Sequence, residues 1–222
     1  MTVSGWRFHL GNPEGDASRQ DFDDGAWRLL DLPHDWSIEA DFSLDNPATP
    51  GGGALPGGMG WYRKHFKLPE SDKGKVIYID FDGVYQNSRV WLNGHLLGFR
   101  PNGYVSFRYD LTPYLNYGKE ENVLVVQADN SDQPNSRWYS GSGIYRNVWL
   151  VKTGQVHVDN WGTNITTPVM NADKSTVEIE TTLKNEASDV TVEVSTLIQD
   201  KEGKTLYRIS SPVEIAAGGK KT

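Results

Sequence analysis

What most constrains the fold of this chain is a rhythm of short apolar runs closed by turn residues. Before Gly154 about eight such runs are legible: Trp6-Leu10, Trp61-Leu68, Lys75-Phe81, Asn87-Leu92, Gly94-Arg100, Tyr104-Asp110, Asn122-Asn130 and Ile144-Lys152. They are rich in Val, Ile, Tyr, Phe and Trp, they alternate, and Gly, Asn, Asp or Pro ends nearly every one. Helical periodicity is scarce. Ser18-Phe22 with Asp23-Asp24-Gly25 has room for one short helical turn. Evenly spaced strands of this kind predict an all-β fold, an antiparallel β-sandwich or jelly roll.

Two turns can be read closely. Asn93-Gly94 separates Val90-Trp91-Leu92 from His95-Leu96-Leu97-Gly98-Phe99, and both residues tolerate the positive φ of a type I′ hairpin. Pro113, in Leu111-Thr112-Pro113-Tyr114-Leu115, cannot donate to a ladder and so marks a corner. Trp91 and Trp149 alternate with aliphatic neighbours and are expected in the core or between sheets. The segment Asn46 to Gly60 holds six Gly and three Pro in fifteen residues. It reads as a mobile surface loop, or as one that orders only against a neighbouring domain. No Gly-Lys-Ser/Thr closes it, so it is no phosphate loop.

At Thr153-Gly154 the character changes to longer, cleaner strands: Ile165-Val169, Thr176-Leu183, Thr191-Gln199 and Leu206-Ser210. Five or six strands fit before Thr222, fewer than the seven of an immunoglobulin-like sandwich. The expected organisation is an antiparallel jelly-roll domain over 1-153, then a partial, truncated immunoglobulin-like β-sandwich over 154-222.

Composition excludes several function classes. The net charge is −7, and no basic run is longer than a pair such as Lys220-Lys221, which argues against a nucleic-acid partner. There are no cysteines, hence no disulfide, thiolate nucleophile or Cys-based zinc site. No apolar stretch approaches the roughly 18 residues of a membrane span. The N-terminus lacks the regions of a signal peptide. If Met1 replaces a removed leader the protein is periplasmic or secreted; otherwise it is cytoplasmic.

The histidines, His9, His34, His65, His95 and His157, match no metal spacing, and no cofactor is expected. His34 is expected to bond nearby loop backbone. The carboxylate neighbours Asp129/Asp132 and Asp23/Asp24 are expected to bond their own turns rather than to work as a hydrolytic pair. The stretch from Asp129 to Tyr139 is richer. Sugars offer rows of hydroxyls and flat C–H faces, which Asp and Asn acceptors, an Arg fork and aromatic rings recognise. Asp129, Asn130, Asn135, Arg137, Trp138 and Tyr139 supply that set within eleven residues. Ser140-Gly141-Ser142-Gly143 then reads as a bend that lets Trp138 and Tyr139 project.

Several pieces occur in a fixed order: Leu32-Pro33-His34-Asp35-Trp36, Gly60-Trp61-Tyr62-Arg63-Lys64, Gly83-Val84 and Val90-Trp91-Leu92-Asn93-Gly94. Gly98, Phe107, Asp110-Leu111 and Asn122 follow, then Ser136-Arg137-Trp138-Tyr139 and Gly143-Ile144-Tyr145-Arg146-Asn147-Val148. Together they resemble the N-terminal region of a glycoside hydrolase family 2 enzyme of the β-galactosidase or β-glucuronidase type. The resemblance implies retaining hydrolysis by glutamates on a (β/α)8 barrel of the same polypeptide, outside these residues. The chain itself would then be a non-catalytic fragment supporting that barrel. Its Gly-rich loop and the Asp129–Tyr139 stretch would stand at the barrel mouth, with a β-galactoside or related β-glycoside as partner. Some relatives carry a metal-binding Asp in that stretch; here Arg137 precedes the Trp and no metal is expected. The alternative reading is a self-sufficient carbohydrate-binding module or adhesin domain.

Overall fold

The computed structural model describes residues 4–222, so Met1 lies outside the described residues. The chain divides into two compact units, one reaching to Lys73 and resuming over Ile77–Lys152, the other formed by Gly74–Val76 and Thr153–Thr222. No described helix is long and apolar enough to cross a membrane.

Among the described residues the first unit contains nine strands: β1 Trp6–Leu10, β2 Arg28–Leu30, β3 Gly58–Phe66, β4 Val76–Phe81, β5 Ser88–Leu92, β6 His95–Arg100, β7 Phe107–Asp110, β8 Asn122–Asn130 and β9 Val148–Thr153. A six-stranded sheet has the order β2-β1-β3-β8-β5-β6, and a three-stranded sheet the order β7-β4-β9. All the registered pairs are antiparallel, and β3 and β8 pair over their whole lengths, from Gly58 opposite Asn130 to Phe66 opposite Asn122. The all-β, antiparallel expectation holds. Strand β2 is an addition; three residues are too few to show a period.

Alternation explains which side chains enter the core. On the large sheet Trp6, Phe8, Tyr62, Val90, Leu92, Leu124, Val126 and Ala128 point inward, meeting Ile77, Ile79, Phe81, Phe107 and Val148. Burying a Val, Leu, Ile or Phe side chain in this way is worth about 1.5–3 kcal/mol. The other face of β8 is covered too. Val123 and Val125 lie beneath Ala17, Phe22 and Trp27 of the 11–27 loop, beside Trp61 and Trp91, whose rings stack at 5.7 Å. A strand buried on both faces reads as a continuous apolar run, as Val-Leu-Val-Val does here.

Arg63 pins that loop down. Its side chain is fully buried and donates to Asp24 Oδ2 at 2.7 Å and to the carbonyls of Ala17, Arg19, Gln20 and Phe22. His65 Nε2 lies 2.7 Å from the same carboxylate oxygen. Burial works to raise the Asp24 pKa, but the bonds from His65 and Arg63 outweigh it and hold the carboxyl below its ordinary value. Asp24 is thus the centre of an ion-pair network, not the turn-bonding residue expected; Asp23, with its oxygen 2.9 Å from the Gly25 amide, is that. Residues 18–22 form bends and turns without a helix.

The Asn93-Gly94 hairpin is as expected, with φ of 51° and 82° and Leu92 opposite His95. The Pro113 corner is a 3₁₀ turn over Thr112–Tyr114. The expectation for Trp149 fails. It lies on edge strand β9, where its neighbour Val148 faces inward, so Trp149 faces out, 53% exposed, with its indole N–H on Asp82.

In the second unit, β10 Val156–Met170, β11 Ser175–Asn185 and β14 Lys220–Lys221 form one sheet; β12 Val190–Gln199 and β13 Thr205–Ile215 form another. Asn185 closes one end by donating to the carbonyls of Ser188, Ile215 and Ala216. Val177, Ile179, Val194, Ile198 and Ile209 line a cleft of about 750 Å³ between the sheets.

Candidate functional site

The site is built where β8 runs into the 131–143 segment. Asn130 ends that strand almost completely buried. Its Nδ2 donates to Gly141 O and Ser142 Oγ, and its Oδ1 accepts from Gln133 and Asn135. That uses the full capacity of an amide side chain. Asn130 therefore organises the loop from beneath and offers nothing to solvent. Asp129 is similarly engaged, since its Oδ1 accepts from the Ser131 amide and hydroxyl. Asn135 donates to Asn130 and to Asp132 O, leaving its own Oδ1 3.4 Å from the Tyr85 hydroxyl.

The remaining three residues face outward. Arg137 is exposed and makes no hydrogen bond or ion pair among the described residues. Trp138 is 60% exposed, and its indole N–H donates to the Tyr104 hydroxyl at 3.0 Å. Tyr139 is 44% exposed, but its hydroxyl donates to Asp35 Oδ2. Burial first, and the Asp35 bond second, raise its pKa well above the ordinary tyrosine value.

Sequence reasoning missed Tyr104, Tyr85 and Asp35. Tyr104 is half exposed and meets the Tyr85 ring edge-on at 5.3 Å, so the aromatic surface continues beyond the 129–139 stretch. Gly103 allows this approach, because a Cβ there would lie 2.2 Å from the Tyr85 ring. Nothing local in Asn102-Gly103-Tyr104 signals that it lies against Trp138. Only the strand order brings the two loops together.

The Gly-rich segment matches neither expectation for it. It is ordered within its own unit: Trp36 Nε1 donates to Gly57 O, Ser37 Oγ to Pro56 O, and Asn46 Nδ2 to Ala54 O. A Cβ on Gly57 would stand 2.3 Å from Asn130 O, and one on Gly53 3.3 Å from the Tyr139 ring. The glycines are there so that the loop can lie flat against the 130–139 segment. The crevice left between them is about 10 Å³, far below the roughly 300–1,000 Å³ of a ligand pocket. At the 130–139 segment the unit presents a surface of rings, not an enclosed site.

His34 also departs from expectation. It bonds side chains, with Nδ1 2.8 Å from the Tyr62 hydroxyl and Nε2 3.3 Å from Glu39. Its burial lowers the imidazole pKa, against an opposing pull from Glu39. Among the described residues, no group of three or more His, Asp or Glu side chains converges as a metal site.

Residues 30–154 match the model of the glycosyl hydrolases family 2 sugar-binding domain, and the chain belongs to that family. It is 55% identical over 214 residues to the β-galactosidase BoGH2A of Bacteroides ovatus, a match covering 96% of this chain and 25% of that protein. A β-glucuronidase of Formosa agariphila is 31% identical, over 97% of this chain and 24% of its own length. Among solved structures, a family 2 glycosyl hydrolase of Bacteroides cellulosilyticus superposes with a TM-score of 0.94 at 38% identity, covering all of this chain and 29% of that one. The chain spans about a quarter of the length of these relatives.

Proposed function

We propose that the chain is the N-terminal, non-catalytic part of a retaining β-glycosidase of the β-galactosidase type, and that its aromatic surface forms one wall of the sugar subsite. The observation that carries this is the exposed Trp138, held by Tyr104, beside the unpaired guanidinium of Arg137, on a unit matching a sugar-binding domain. An indole face stacks on sugar C–H surfaces and a guanidinium donates to hydroxyls in a fixed fork. Of the six residues expected to meet substrate, Arg137 and Trp138 do so directly and Tyr139 contributes its ring edge. Asp129, Asn130 and Asn135 hold the loop in shape. A catalytic barrel elsewhere in the same polypeptide supplies the acid/base and nucleophile.

The absence of an enclosed cavity at this surface supports a shared rather than a self-contained site. The second unit is, on this reading, the first part of an immunoglobulin-like sandwich, and the apolar cleft between its two sheets supports that. Calorimetric titration of the chain with galactosides tests the division of labour. Negligible heat is expected; saturable binding would favour a self-sufficient carbohydrate-binding module.

A further inference from the structure

We infer that Asp35 is the positioning residue of this aromatic surface: its carboxylate ties the bend after Trp138-Tyr139 to the loop before β3 and so fixes where the Trp138 ring stands. The inference rests on the reading above for its functional meaning, but not for its geometry.

Two backbone bonds first bring the segments side by side. His34 N donates to Ile144 O at 2.9 Å and Trp36 N to Ser142 O at 3.3 Å. Between them, Asp35 accepts three bonds. Oδ1 takes the Ser37 amide at 3.0 Å and the Ser142 amide at 2.9 Å, and Oδ2 takes the Tyr139 hydroxyl. Ser37 Oγ and Ser142 Oγ, 2.7 Å apart, reinforce the same junction. Three donors converging on one side chain require acceptors on both oxygens, which a carboxylate provides and an amide does not. Bonds to an ionised acceptor are also the stronger kind.

The neighbouring glycines fit this role. Gly141 has φ +75°, and a Cβ there would lie 2.9 Å from Asp35 Oδ2. Gly53 lets the Tyr139 ring lean on the Gly-rich loop. Tyr139 is therefore anchored at its hydroxyl and packed along its ring, so its O–H is not free to donate to a ligand. Trp138, one residue earlier, is left turned outward.

The test uses the whole chain with isotope-labelled tyrosine and fluorinated tryptophan. Tyr139→Phe and Trp138→Phe assign the two resonances by their loss. In the unaltered chain the Tyr139 phenol should titrate well above the ordinary value of about 10. Asp35→Asn should lower it, though burial still holds it above the ordinary range, and should narrow the Trp138 fluorine line, with cooperative unfolding retained. An unchanged Tyr139 titration, or a lowered one with an unchanged Trp138 line, would overturn the inference. If Asp35→Asn does not fold, Tyr139→Phe decides: it removes one of three bonds and should still narrow the Trp138 line, and an unaltered line sinks the claim. Neither readout involves sugar, so the outcome is separate from whether the surface binds one.

Discussion

The indole N–H of Trp138 reaches the hydroxyl of Tyr104 at 3.0 Å, joining two loops separated by 34 residues of sequence. Tyr104 leans in turn on the buried Tyr85, which backs the exposed rings from beneath. Replacing Tyr104 with Phe keeps the ring and removes the acceptor. Trp138 should then move more freely, read as a narrower fluorine resonance with little change in stability; an unaltered line would mean that packing alone holds the ring.

Arg63 and Asp24 form the structural counterpart. Arg63→Met would leave four loop carbonyls without their donor and the Asp24 carboxylate with only His65 and Arg7 as partners. Breaking a buried pair on one side costs about 3–5 kcal/mol. Denaturant unfolding should show a loss of that size, and a loss near zero would mean that the 11–27 loop is held by Phe22 and Trp27 alone.

Gly57 offers a steric test of the Gly-rich loop. Its backbone φ is not positive, so Gly57→Ala acts through contact alone: the new Cβ meets Asn130 O at 2.3 Å and Gln133 Cγ at 2.9 Å. Overpacking of this kind costs about 1–3 kcal/mol. The Tyr139 and Trp138 resonances should both shift, because the loop must lift off the 130–139 segment.

His34 makes stability depend on pH. Burial lowers its folded-state pKa, so the unfolded chain takes up the proton more readily. The stabilisation is present above about pH 6.5, the unfolded value, and is lost as pH falls through the folded one. Glu39 opposes the shift and Arg28 adds to it, while Asp24, a carboxylate, contributes only at lower pH. Unfolding free energy should therefore decline between about pH 7 and 5, and His34→Gln should flatten that decline. An equal slope in both proteins would assign it to other groups.

Much of the fold was legible because its signals are local. Alternation marked eight of the nine strands of the first unit, and Asn93-Gly94 and Pro113 declared their turns. What was not legible depends on partners far along the chain. Trp149 alternates like a core residue but sits on an edge strand. The Gly-rich loop looks structureless because its order comes from Trp36, Asn130 and Tyr139. For the site, composition pointed to residues 129–139 but could not separate the exposed Arg137 and Trp138 from Asn130, which is spent underneath. Tyr104 and Asp35 carry no local mark at all.

The central claim is that Trp138 touches the sugar during turnover. The measurement that tests it most directly is kcat/KM for an aryl β-galactoside in the full-length enzyme carrying Trp138→Ala. A lost stacking contact predicts about 1–3 kcal/mol in transition-state terms, roughly a 5- to 150-fold fall, with the fold intact. An unchanged kcat/KM in a folded variant would contradict the account and leave Trp138 a structural surface residue.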